Sequence, residues 1–182
     1  MSERVLKKAI KKFKSHVVSS HSQCGDDTLV ISPDALHDLM AFLRDDPDCA
    51  FEMLMDVTGV DYLPRTPRFE VVYHLLSVSK LHRLRVKVQL EESNPRVATV
   101  SDLWAAANWA EREAFDMYGI TFDGHPDLRR LLMYEEFEGF PLRKDYPLLG
   151  SQPRIDLLAE ERPTTNMYSP NFGEYGPEKE NR

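Results

Sequence analysis

Leu84-Arg85-Val86-Lys87-Val88-Gln89-Leu90 alternates without a break. Leu84, Val86, Val88 and Leu90 fall on one side and Arg85, Lys87 and Gln89 on the other, which is the period of a half-buried antiparallel strand. Upstream, Phe69-Glu70-Val71-Val72-Tyr73-His74-Leu75-Leu76 is a second strand-like run. A short polar connection around Ser79-Lys80 joins the two, so the pair reads as a hairpin. Phe51 to Val57, ending in Thr58-Gly59, supplies a further strand, and Thr28-Leu29-Val30-Ile31 another.

Helical periods flank these strands. Ser32-Pro33-Asp34 reads as a capped helix start, with proline at the first helical position, followed by Leu36, Leu39, Met40 and Leu43. Ser101-Asp102 reads as a second cap, with the acid favoured by the helix dipole. From there Leu103, Ala107, Ala110, Ala114 and Met117 make one apolar seam that stops at Gly119. Val5, Leu6, Ala9, Ile10 and Phe13 give the N-terminus a helical stripe. The sum is an α+β domain over residues 1–120, a mostly antiparallel sheet with packed helices.

After Gly119 the periodicity fades, and seven of the twelve prolines lie in residues 119–182. Tyr134, Phe137, Phe140, Tyr146, Tyr168, Phe172 and Tyr175 nevertheless persist. Disordered tails are poor in aromatics; rings spaced along an extended chain suit pockets on a partner. Residues 121–182 are therefore expected to form an extended segment that docks on a partner, with the last residues frayed.

Charge and cysteine content exclude several classes. The net charge of −7 argues against nucleic acid as the main partner. Residues 1–14 run against that balance, with six basic groups and Glu3. A basic amphipathic helix suits an acidic membrane surface, but a helix docked on its own domain with its lysines in water explains it as well. Cys24 and Cys49 stand apart, with no CxxC spacing, whereas zinc and iron–sulfur sites need three or four clustered ligands. No apolar run is long enough for a membrane span, and no secretion signal opens the chain.

The charged block lies between Glu111 and Pro147. Arg112 and Asp116 are one turn apart, and Glu113 and Asp116 have the spacing of paired carboxylates for acid–base work. A solvated or partner-facing charge network fits the same spacing. His125, between Gly124 and Pro126, is either a proton shuttle or a hydrogen-bonding turn residue. Arg129, Arg130, Arg143 and Lys144, with Asp145 beside them, suit a grip on carboxylates across an interface. A phosphate site lacks its glycine-rich loop. An independent small enzyme would need Glu113, Asp116 and His125 to converge in one pocket.

Taken in order, Glu111-Arg112-Glu113, Asp116-Met117-Tyr118-Gly119, His125 and Arg129 closely resemble the 30-kilodalton, or C, subunit of respiratory complex I, the proton-pumping NADH:quinone oxidoreductase. The likeness extends upstream through Asp56 to Tyr62, Arg68 to Tyr73 and Trp104 to Trp109, and downstream through Gly139 to Pro147. It covers roughly residues 50–150. The resemblance implies a structural and assembly subunit without catalytic, cofactor or metal residues of its own. Flavin and iron–sulfur clusters are expected on other subunits. It further implies a C-terminal segment wrapped on the D, or 49-kilodalton, subunit. The place implied is peripheral, on the cytoplasmic side of a bacterial inner membrane or the matrix side in mitochondria. The equivalent subunit of a membrane-bound hydrogenase or of a ferredoxin-driven relative is the alternative.

Overall fold

The computed structural model describes residues 2–149 and 152. Seven strands and three helices follow in the order α1 (Ser2–Lys12), β1 (Val17–Gln23), β2 (Asp26–Ile31), α2 (Leu36–Asp45), β3 (Met53–Asp61), β4 (Phe69–Ser77), β5 (His82–Leu90), β6 (Arg96–Ala98), α3 (Ala107–Tyr118) and β7 (Thr121–Asp123). The main sheet has the order β1-β2-β5-β4-β3. All its pairs are antiparallel except β2 with β5. Strands β6 and β7 form a small parallel pair. The architecture is the expected α+β one.

The alternation of β5 is realised residue by residue: Leu84, Val86, Val88 and Leu90 are buried while Arg83 is exposed and Arg85, Lys87 and Gln89 are half-buried. Its antiparallel partner β4 places Val71 opposite Val88, Tyr73 opposite Val86 and Leu75 opposite Leu84. That row joins Leu29 and Ile31 of β2 in one core with Val5, Leu6 and Ala9 of α1, Leu36, Leu39, Met40 and Leu43 of α2, and Ala107 and Ala114 of α3. The basic stripe of α1 thus belongs to a helix docked on its own domain. Lys8 bonds Asp46 at 2.6 Å and Asp48 at 2.7 Å, and Lys12 lies 3.9 Å over the Phe42 ring.

Three local expectations change. Ser32 precedes a 3-10 turn (Pro33–Ala35) rather than capping α2, and its hydroxyl approaches His16 at 3.3 Å instead of a helix N–H. Ser101 and Asp102 lie in turns, and α3 starts at Ala107, because Trp104 plugs the core and its indole N–H donates to the Phe51 carbonyl at 3.2 Å. Strand β1 leaves no signal in the sequence because Ser19-Ser20-His21-Ser22-Gln23 lies exposed on a sheet edge and has no apolar alternation to show. Past residue 120, β7 pairs with β6, and the described residues run on to 149.

Gly59 sits inside β3, where glycine normally weakens a strand. Its reason is close approach. A Cβ there would meet Tyr118 Cδ2 at 2.7 Å and Ile120 Cδ1 at 3.2 Å, so the missing side chain lets the end of α3 lie flat on the sheet. Gly59→Ala is expected to lower the unfolding free energy by about 1–3 kcal/mol, the usual cost of overpacking. Thermal or urea denaturation measures it. Replacing Tyr118 by leucine in the same chain should recover part of the loss, because the clash is with the ring.

Candidate functional site: carboxylates that hold the C-terminal arm

The centre of the charged block is Arg68, whose side chain is 3% exposed. Asp61 ends β3, Arg68 precedes β4, and the loop between them carries Pro64 and Pro67, so two charged side chains from adjacent strand ends face each other. Arg68 Nε and Nη2 donate to the two oxygens of Asp61 at 3.0 and 2.8 Å. The same guanidinium donates twice to Asp145, at 3.1 and 2.8 Å, and to Glu92 at 2.5 Å. Asp61 also accepts the backbone N–H of Lys144 at 2.8 Å and of Leu63 at 2.9 Å. Its hydrogen bonds to Arg68, opposed by burial, hold its carboxyl far below the usual range. Residues 144 and 145 are thereby tied to the end of the sheet.

A second carboxylate ties down residues 130–133. Asp116 of α3 is fully buried. It accepts Arg130 Nη1 at 2.8 Å and the backbone N–H groups of Leu131, Leu132 and Met133 at 3.1, 2.7 and 2.8 Å. Burial pushes this carboxyl up, but the Met133 N–H, Arg130 and the other two N–H groups outweigh it and leave it below its ordinary value. Arg112 completes the seat from one turn earlier, donating to the carbonyls of Arg129 and Arg130, both at 3.1 Å. Arg112 was expected to pair with Asp116 or with a partner's carboxylate; here Arg112 and Asp116 make two separate grips on one loop, since an irregular segment must find partners for its backbone groups.

Arg143 is half-buried, with its guanidinium 4.5 Å over Phe140 and 5.0 Å over Phe69, and it donates to the Tyr118 carbonyl at 2.6 Å. Burial, then the neighbouring Arg68 charge, lowers its pKa. Gly119 closes α3 with φ +72 and leaves space for this stack; a Cβ there would meet the Phe140 ring at 2.6 Å. Farther out, Phe137 stacks on Tyr146 at 6.1 Å and meets Tyr134 edge-on at 5.6 Å. These rings were expected to fill a partner's pockets; within residues 134–146 they also pack on one another.

A third buried acid is Glu111. Its oxygens accept the Thr99 hydroxyl at 2.5 Å and the Val100 N–H at 2.8 Å, and His125 Nε2 lies 4.0 Å away. His125 donates from Nε2 to the Asn108 carbonyl at 3.0 Å and accepts the Asp127 N–H on Nδ1 at 3.0 Å. It is the hydrogen-bonding turn residue. Burial raises Glu111 to about 7, against the hydrogen bonds from Thr99 and Val100, with Asp102 adding to the rise. Among the described residues the buried Tyr73 hydroxyl has no hydrogen-bond partner, and its pKa is raised by burial and then by the Glu111 charge.

The side chains of the remaining candidates lie outside these clusters. Arg129 pairs with Asp127 at 3.0 Å in solvent, and Glu113 and Lys144 present exposed side chains. Glu113, Asp116 and His125 do not converge: one is in solvent, one is spent on the arm and one is fixed in a turn. Among the described residues no three His, Cys, Asp or Glu side chains approach closely enough to hold a metal ion. Cys24 and Cys49 are both free, and burial pushes the Cys49 thiol up to about 11. Motif spacing does not single out Asp61, Arg68 or Tyr118 as site residues. The usable signal is the proline-studded loop that leaves an acid and an arginine at adjoining strand ends.

These features define a class: an α+β scaffold domain whose buried ions are committed to fixing an irregular arm on its own sheet. Residues 29–152 match the family described as respiratory-chain NADH dehydrogenase, 30 Kd subunit. The C subunit of NADH-quinone oxidoreductase from Hyphomonas neptunium is 53% identical over 142 residues, 78% of this chain and 66% of that protein. One of the C subunits of NADH-quinone oxidoreductase from Rhizobium meliloti is 50% identical over 133 residues, 73% of this chain and 72% of that protein. The chain thus spans about two thirds to three quarters of these two relatives. A solved structure described as Nqo5 of the trypsin-resistant fragment (1-134) shares 38% identity with a TM-score of 0.60, over 69% of this chain and 98% of that one. A chain of the membrane-bound sulfane sulfur reductase, an archaeal respiratory membrane complex, shares the fold alone, with TM-score 0.68 at 24% identity over 81% of this chain and 86% of that one. The chain belongs to the 30 Kd, or C, subunit family of respiratory-chain NADH dehydrogenase.

Two outcomes follow from the ion clusters. Arg68→Met leaves Asp61 buried without its counter-charge and is expected to cost about 3–5 kcal/mol, whereas Arg68→Met with Asp61→Leu should recover much of it. Chemical denaturation of the two variants gives the comparison. Glu111 sets a pH dependence. Its folded pKa lies above the unfolded value, so its contribution is full below about 4.5, declines between about 4.5 and 7, and is lost above about 7. At about 1.4 kcal/mol per unit the decline is on the order of 3 kcal/mol. Glu111→Gln can still accept the Val100 N–H on its amide oxygen and removes the titrating charge, so the stability profile of that variant should lose this slope while the acid-side loss due to Asp61 remains.

Proposed function

We propose that this chain is a non-catalytic structural and assembly subunit of the peripheral arm of a proton-translocating NADH:quinone oxidoreductase. In this reading residues 121–182 dock on the D, or 49-kilodalton, subunit and support the quinone-reducing module. Flavin and iron–sulfur clusters sit on other subunits, and the chain lies peripherally on the cytoplasmic side of the inner membrane. Family membership supports the complex. Among the described residues no helix is long and apolar enough to cross a membrane.

One observation carries the docking reading. The arm and the outer face of α3 expose large apolar side chains: Trp109 at 65%, Leu132 at 57%, Leu142 at 51%, Leu148 at 99% and Leu149 at 95%. Trp109 is held ready by Arg112, whose guanidinium is 5.7 Å from the ring centroid. Exposed tryptophan and leucine on a rigidly seated segment have the character of interface anchors, which dominate binding when a partner desolvates them.

The division of labour is specific. Arg130 and Arg143 act inside the chain, so their loss weakens docking by unseating the arm. Trp109 and Leu132 act at the interface directly. Trp109→Ala is expected to leave the stability of the isolated chain within about 0.5 kcal/mol, as surface changes do. It should weaken co-purification with the 49-kilodalton subunit by about 2 kcal/mol or more, roughly 30-fold. Co-expression of the two subunits, with pull-down of the intact chain, the variant and a truncation after Gln152, measures it. Undiminished capture by both altered chains would contradict the docking reading.

A further inference from the structure

Glu111 and His125 take no direct part in seating residues 130–145. Both side chains are fully buried, one on α3 and the other in the turn after β7, with His125 Nε2 4.0 Å from Glu111 Oε2. Among the described residues no lysine or arginine pairs with Glu111. A buried carboxyl without a cation favours its protonated form, and that form needs an acceptor for its hydrogen. Thr99 supplies one. Its Oγ1 lies 2.5 Å from Glu111 Oε2 and 2.8 Å from the Ser101 hydroxyl, and it accepts the Ser101 backbone N–H at 3.1 Å. A hydroxyl has one proton to donate and two lone pairs. With one lone pair taken by the Ser101 N–H, Thr99 accepts from one of its other two neighbours and donates to the other. The chain therefore has two directions. A protonated Glu111 donates to Thr99, which donates to Ser101; an ionised Glu111 reverses both bonds. Ser101 is half-buried, so the chain ends within reach of solvent.

We propose that Thr99 and Ser101 form a proton path between solvent and Glu111, and that the proton at its inner end sets the hold on the turn at residues 125–127. On release, Glu111 passes its proton to Thr99, Thr99 passes its own to Ser101, and Ser101 passes its own to water. One proton leaves, each hydroxyl keeps one, and both hydrogen bonds reverse. The charge left on Glu111 faces the Nε2–H of His125, which donates to the Asn108 carbonyl at 3.0 Å. A carboxylate is the stronger acceptor, so that N–H turns towards Glu111. The other ring nitrogen, which accepts the Asp127 N–H at 3.0 Å, turns with it. Asp127 pairs with Arg129, at the start of the arm's run to Asp116. The groups around Glu111 oppose its ionisation. Asp102, before α3, adds a like charge although it also bonds His37 of α2 at 2.9 Å, and Tyr73 of β4, its pKa raised by burial, offers no positive charge. With Glu111 raised to about 7 by burial, both states of the chain are populated near neutral pH.

The test is a pH titration of the intact isotope-labelled chain by NMR, following the Glu111 carboxyl carbon and the amides of Val100, Ser101, Asp127 and Lys144. The Glu111 carbon and the Asp127 amide should shift with one shared midpoint near neutrality, while Lys144, held by Asp61, stays constant; this comparison needs no variant. Glu111→Gln imitates the protonated form, since its amide donates to Thr99 and accepts the Val100 N–H, and should abolish the Asp127 midpoint. Thr99→Val removes a donor to the charged form and interrupts the path. It should raise the Glu111 midpoint by about one unit and slow exchange between the two forms several-fold. The spread of amide shifts shows that each variant is folded. A Glu111 carboxyl that titrates with no response at Asp127, an Asp127 midpoint that survives in Glu111→Gln, or a Glu111 carboxyl that stays in one form throughout would overturn the hold on the turn. Unchanged exchange in Thr99→Val would overturn the path. Docking of the arm on the 49-kilodalton subunit stands or falls independently of this result.

Discussion

A guanidinium that is 3% exposed must be neutralised where it lies, and Arg68 draws three carboxylates from three parts of the chain to do so. Asp61 comes from the end of β3, Glu92 from the turn after β5 and Asp145 from the arm. Removing such an ion from water costs several kcal/mol, so the pairing geometry cannot be loose. The rest of the arm's path is constrained by that requirement. With Asp145 fixed, Lys144 presents its N–H to Asp61 and Arg143 falls over the Phe69 and Phe140 rings. Buried ion pairs add little net stability over apolar residues of the same shape. What this one supplies is register: only one position of residues 143–145 satisfies it.

The same physical device recurs at Asp116 and Glu111, with backbone rather than guanidinium as the main donor. Residues 130–133 have no ladder or helix to satisfy their N–H groups, and Asp116 collects three of them. Glu111 does this for Val100 at the turn that leads into α3. Helix α3 thus works on two sides. Its alanine seam lies on the sheet, and its acids hold the loops before and after it. That leaves Trp109 and Glu113 on the outward face, where a neighbour in the complex can meet them without disturbing the fold.

The sheet is legible in the sequence because β5 and the core face of β4 bury one face, and the alternation of their side chains records that directly. The edge strand β1 is not, since an exposed strand of serine and histidine has no burial to record. The start of α3 is misleading because Ser101 and Asp102 look like a cap, while the deciding contact is Trp104 on Phe51, 53 residues away. For the site, the importance of Glu111, Arg112, Asp116, Arg130 and Asp145 is visible as charge density, but their partners are not. Spacing on a helix suggests Arg112 with Asp116; the arm's return to α3 supplies Arg130 instead. Aromatic residues on an extended stretch suggest a partner's pockets, and spacing cannot show that Phe137 and Tyr146 also stack within the arm.

The domain itself seats residues 130–145, before any partner arrives. Hydrogen exchange of the isolated chain tests it most directly, at the amides of Leu131, Leu132, Met133 and Lys144. Each of these donates to a buried carboxylate, so all four should exchange slowly without a partner, and Asp116→Asn should speed the first three and leave Lys144 slow. Exchange of all four at the rate of an unfolded peptide in the isolated chain, with protection gained only in the assembled complex, would contradict the account and make the partner, not the carboxylates, the organiser of the arm.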